Sequence, residues 1–83
     1  MNPLKYVITN KGNFAIFTSS TEHLTIGRNL YGKPIAAGFC YFETKVDPDS
    51  NGFIQKIICY GKSTSLGLAS RGDIDADIIN KHL

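Results

Sequence analysis

Residues 33–70 read KPIAAGFCYFETKVDPDSNGFIQKIICYGKSTSLGLAS, and two apolar runs inside this stretch decide the fold. Ile35 to Val46 and Phe53 to Tyr60 are rich in β-branched and aromatic residues, and the six residues between them, DPDSNG, are turn formers. The pattern predicts an antiparallel hairpin. Its register follows from asking which pairing gives sensible neighbours, because a slip of one residue exchanges the two faces. Placing Val46 opposite Phe53 sets Thr44 against Gln55, Phe42 against Ile57 and Cys40 against Cys59. The other face then pairs Glu43 with Lys56, Tyr41 with Ile58 and Phe39 with Tyr60. This register yields a cross-strand ion pair, two aromatic–aliphatic pairs and an aromatic pair, each of a kind worth about 0.2–1 kcal/mol.

From Phe39 to Phe42 and from Ile57 to Tyr60 both faces are apolar, whereas a hairpin with one face in water alternates throughout. Two covers are therefore expected. The C-terminal helix is the expected cover for one face, and the N-terminal segment or a second copy of the chain for the other. An apolar stretch of this kind predicts a homodimer that buries Tyr41 and Ile58.

Upstream, Leu4 to Thr9 and Phe14 to Thr18 alternate around NKGN, which predicts a first hairpin. Ser19 stands three residues before Glu22, the spacing of a capping box, so a short helix is expected over Thr21 to Ile26, stopped by Gly27. Downstream, GKSTSLGLASRG predicts a loop with a short extended piece, anchored by Leu66 and Leu68. DIDADIINKHL predicts a helix that opens after Ser70, with Ile74, Ile78 and Ile79 laid on the sheet. The expectation is a single domain over residues 1–83, an α+β fold of order ββαββα. It consists of an antiparallel sheet of two hairpins with a short helix and a C-terminal helix.

A chain of 83 residues buries only about 60–65% of its unfolded surface, so its stability margin is small. The formal charge of +2 is too weak to imply nucleic acid or an anionic membrane. No run of residues approaches a membrane span, and Met1 to Asn13 lacks the apolar core of a signal peptide, so the cytoplasm is the expected compartment. Cys40 and Cys59 are then expected to be buried thiols facing each other across the hairpin.

Asp47, Asp49, Asn51 and Gly52 match the first half of a calcium loop, but Ile58 occupies the position of the closing glutamate, and turn chemistry alone explains every residue. No metal or cofactor is expected. GKS at Gly61 to Ser63 lacks the earlier glycine of a phosphate-binding loop. The stretch that follows is more suggestive. Lys62, Ser63 and Ser65, with Arg71 at the mouth of the last helix, supply the cations and hydroxyls of an anion site. His23, beside Glu22, is the candidate to join them, either as a binding residue or as an acid–base group.

A sheet-based nucleic-acid platform of Tyr6, Phe14, Phe39, Tyr41 and Tyr60 with Lys5, Lys45 and Lys56 is disfavoured. The element order does not match βαββαβ, and the core needs those aromatics. The leading expectation is a small cytoplasmic, non-enzymatic interaction or regulatory module that self-associates. It would carry a small-anion or protein-partner site in the Gly61–Arg71 loop. The alternative is an enzyme or ligand-processing subunit that uses His23 with the serine loop.

Overall fold

The structure is a computed structural model and describes residues 3–82. Strands β1 (Leu4–Thr9), β2 (Phe14–Phe17), β3 (Pro34–Asp47) and β4 (Gly52–Tyr60) form one antiparallel sheet in the order β2-β1-β3-β4. Helix α1 (His23–Asn29) follows β2, the two-residue strands β5 (Lys62–Ser63) and β6 (Leu68–Ala69) pair with each other, and α2 (Asp73–Asn80) closes the chain. The α+β class is as the sequence predicts. The extended piece expected after Tyr60 is the β5–β6 pair.

The β3–β4 register is the one deduced from the sequence, with Val46 opposite Phe53 and Cys40 opposite Cys59. One detail differs. Glu43 lies opposite Lys56, but its carboxylate pairs with Lys45, two residues along the same strand, at 3.2 Å. Lys45 projects from the same face of β3 and reaches Glu43 without crossing to β4.

Even-numbered residues of β1 carry the main core. Tyr6 and Ile8 join Ala36, Cys40, Ile57 and Cys59 under Ala76 and Ile79 of α2, with Leu4, Phe14, Ile16 and Ile78 packed around them. The opposite face buries Val7 and Ala37 and is covered by α1, whose His23 ring meets Phe17 and Phe39 edge-on. That cover is partial. Beyond Cys40 the described part of β3 pairs with β4 alone, and this two-stranded arm leaves Tyr41, Phe42, Val46, Phe53 and Ile54 exposed. The expectation that Phe42 lies covered with the cysteines is thus corrected, because α2 ends short of the arm.

Both helices differ from expectation at their edges. α1 begins two residues later than predicted and contains Gly27, while the Ser19–Glu22 capping box is not formed: Glu22 is the N-cap residue with no side-chain cap. Gly27 is buried instead of terminal because a Cβ there would sit 3.1 Å from Pro34 and against Leu66. In α2 the buried face is Asp75, Ala76 and Ile79, and Ile74 is 59% exposed. The cause is polar. Asp75 Oδ2 accepts from Tyr6 Oη at 2.5 Å and from the Arg71 backbone N–H at 2.8 Å, and Oδ1 accepts from Arg71 Nε at 2.6 Å. A carboxylate with all these donors is satisfied in the interior, and it turns the helix so that Ile74 points away.

At the edge of the sheet, the outward N–H of Ile57 in β4 donates to Asn80 Oδ1 at 2.9 Å, which ties the end of α2 to the last strand. None of the helices among the described residues is long and apolar enough to cross a membrane.

Candidate functional site

A cavity of 430 Å³ opens where the start of α1, the end of β4 and the loop after it meet. Its floor is aromatic: Phe39 and Tyr60 stand opposite each other across β3 and β4 and stack with centroids 6.0 Å apart. Lys5, which pairs with Phe39 across β1 and β3, and Lys62 supply positive charge, and Glu22, His23, Gly61, Thr64 and Ser65 complete the wall. A mostly apolar concavity of this size with a few convergent polar groups is the usual form of a small-ligand site.

Local chain geometry builds this wall. Gly61 has φ +80°, and a Cβ there would fall 2.9 Å from Phe39 Cδ2, so only glycine lets the chain turn off β4 directly over the ring. The loop is then closed on itself. Ser70 N–H donates to the Gly61 carbonyl at 2.9 Å, Gly67 N–H to the Ser63 carbonyl at 3.0 Å, and Leu66 N–H to Ser63 Oγ at 3.2 Å. Leu66 packs against Gly27, which fastens the loop to α1.

His23 is 3% exposed and its Nε2 lies 2.8 Å from the Gly38 carbonyl oxygen. A carbonyl only accepts, so Nε2 carries a proton and donates. Among the described residues no hydrogen bond joins His23 to Ser63, Thr64 or Ser65. His23 and the serine loop share one cavity without the contact that would couple them chemically.

The five residues singled out from the sequence therefore occupy three settings. Lys62, Ser65 and His23 line the cavity. Ser63 is buried and holds the turn through Leu66, with Ser65 Oγ at 3.4 Å. Arg71 lies with Asp75, outside the cavity wall. Phe39 and Tyr60 pair as the register predicts and belong with Lys5 to the disfavoured nucleic-acid platform, but their meeting with Glu22 around one cavity depends on the β1–β3 pairing and on where α1 starts. Lys5 Nζ also donates to the Thr21 carbonyl at 3.0 Å, which ties the strand to the entrance of α1.

A second polar centre lies under α2. Burial, then the hydrogen bond to Asp75, hold the Tyr6 hydroxyl protonated far above its ordinary range, while Ser70 Oγ, 2.7 Å away, works in the other direction. Burial pushes the Cys40 thiol up to about 11, and burial, then the neighbouring Cys40 and Asp75, push Cys59 up to about 12. Both are free, buried thiols, protonated at neutral pH and so poor nucleophiles. In the DPDSNG turn the Asp47 carboxylate is held below its usual range by Ser50 Oγ at 2.7 Å and the Asp49 N–H at 3.0 Å. Asn51 takes the left-handed conformation at φ 55°, so these residues are engaged in turn chemistry.

No family model, curated protein or solved structure matches this chain. The cavity and its chemistry are what bear on function.

Proposed function

We propose that the protein is a small, non-enzymatic binding module of the cytoplasm whose ligand is a small organic anion held in the cavity between α1 and the Gly61–Ser65 turn. The observation that carries this reading is the placement of Lys5 and Lys62 beside the stacked Phe39–Tyr60 pair. A planar group fits the aromatic floor, and an anionic group finds two ammonium groups and the hydroxyls of Thr64 and Ser65. Binding is favoured over catalysis because His23 spends Nε2 on Gly38 and the serine nearest the turn, Ser63, is buried in it.

Thermal unfolding in phosphate and in benzoate tests the reading. Stabilisation that saturates and is lost in Lys62→Ala, while an equal concentration of chloride has no effect, supports it. Equal stabilisation of the unmodified chain and Lys62→Ala reduces the effect to general salt and removes the site.

Self-association is a second reading, favoured by Phe42, Val46 and Phe53, which share the arm's α2-side face with the uncharged Thr44 and Gln55. Sedimentation that gives a dimer, and a folded monomer on changing Val46 and Phe53 to lysine, supports it. A monomer at high micromolar concentration rejects it.

A further inference from the structure

We infer that the α1-side face of the sheet is a platform for single-stranded nucleic acid, with the cavity seating one nucleotide and the arm receiving the next. This rests on the reading of the cavity as an anion site. The cavity's aromatic floor does not end at its rim. Tyr60 stacks on Phe39 inside the cavity, and outside it Tyr41 stands against Tyr60 with centroids again 6.0 Å apart. Tyr41 and Tyr60 are 48% and 43% exposed, so these rings are not consumed by the core as the sequence alone suggests. Tyr6 is, on the opposite face.

Charge on this face has the sign a phosphodiester needs. Register puts Lys5 beside Phe39, and Lys45 and Lys56 along the arm on the same face as Tyr41, while Lys62 lies at the cavity wall. Glu43 also projects from this face and pairs with Lys45, so those two charges cancel, and Glu22 stands at the cavity wall; Lys5, Lys56 and Lys62 still leave the face positive. Rings in series with lysines along their flank are how single strands are held without reading sequence: bases stack on the rings and phosphates follow the cations.

Fluorescence anisotropy of a labelled oligothymidylate of about twelve nucleotides, at low salt, tests the inference. The expected result is saturable binding that weakens by about 5- to 150-fold in Tyr41→Ala and in Tyr60→Ala, the range that one base–ring contact supplies. Tyr41→Phe keeps the stack and should retain affinity, and Phe53→Ala, on the opposite face of the arm, should bind like the unmodified chain. Lys56→Ala should weaken binding and lower the salt slope by about 0.7, the value of one phosphate contact on a single strand. Circular dichroism of each variant separates loss of binding from loss of fold. Three results overturn the inference: no binding at low salt, binding that lysine variants weaken but Tyr41→Ala and Tyr41→Phe leave unchanged, or a dimer that buries Tyr41. If phosphate still stabilises the chain through Lys62 while the oligonucleotide does not bind, the small-anion reading stands and the nucleic-acid inference alone fails.

Discussion

Tyr6 Oη donates to Asp75 Oδ2 at 2.5 Å, and neither residue has any exposed surface, so the first strand and the last helix are joined through a fully buried hydrogen bond. The bond explains the helix orientation that hydrophobic spacing mispredicts. Tyr6→Phe removes the donor and leaves Asp75 on Arg71 alone, at an expected cost of about 1–3 kcal/mol. Asp75→Ala leaves the Tyr6 hydroxyl on Ser70 Oγ alone and takes the carboxylate from the part-exposed Arg71 guanidinium, and should cost more than Tyr6→Phe but less than the roughly 3–5 kcal/mol of breaking a fully buried pair. Urea unfolding of the two variants measures the difference, and equal small losses would show that the network contributes little.

The helix face makes a sharper prediction. Ile79→Ala should cost about 2–5 kcal/mol because the residue is fully buried, whereas Ile74→Ala, at an exposed position, should stay within about 0.5 kcal/mol. The reverse order would mean that α2 lies on the sheet through the stripe expected from spacing.

Alkaline pH should weaken the fold. The folded-state values of Cys40 and Cys59 lie near 11 and 12, above the value of an exposed thiol, so the native state keeps its protons longer than the unfolded chain. Stability is then level below the unfolded thiol value of about 8.5 and falls above it, by up to about 1.4 kcal/mol per pH unit for each thiol, until the folded values are reached. Urea midpoints between pH 7 and pH 11 check this, and a Cys40→Ala, Cys59→Ala chain should lose most of the slope between about pH 8.5 and pH 10.

Two glycines with positive φ separate backbone cost from crowding. Gly61→Ala and Gly67→Ala both impose a left-handed residue, worth about 1–2 kcal/mol. Gly61→Ala alone also drives a methyl onto the Phe39 ring, whereas nothing lies within 4 Å of the Gly67 position. Gly61→Ala should therefore be the less stable of the two and should alone weaken phosphate binding in the cavity, read by thermal unfolding.

The strands and the β3–β4 register were legible because alternation and cross-strand matching are local properties of the chain. Two things were not. Asp75 sits in an acidic first turn that reads as solvated helix start, and only the approach of Tyr6, far away in sequence, makes burial its better state. The cavity was half visible: Lys62, Ser65 and His23 stand out as polar residues near glycines, and the Phe39–Tyr60 floor follows from the β3–β4 register, but Lys5 reaches that floor only because β1 lies beside β3, a pairing that no local pattern specifies. Ser63 shows the converse, since a serine among serines gives no sign that it alone is turned inward.

The contact between Asn80 and the Ile57 N–H has a consequence for how the chain behaves among copies of itself. β4 is the outer strand of the sheet, and an unpaired outer strand recruits other strands into growing, fibre-like stacks. With its donor at Ile57 already occupied, an incoming strand finds a broken ladder at the middle of β4 and must displace the end of α2 to continue. One amide side chain at the end of a helix thus acts as a chain terminator for sheet growth, and its loss would show first as turbidity in concentrated solution while the fold itself remained intact.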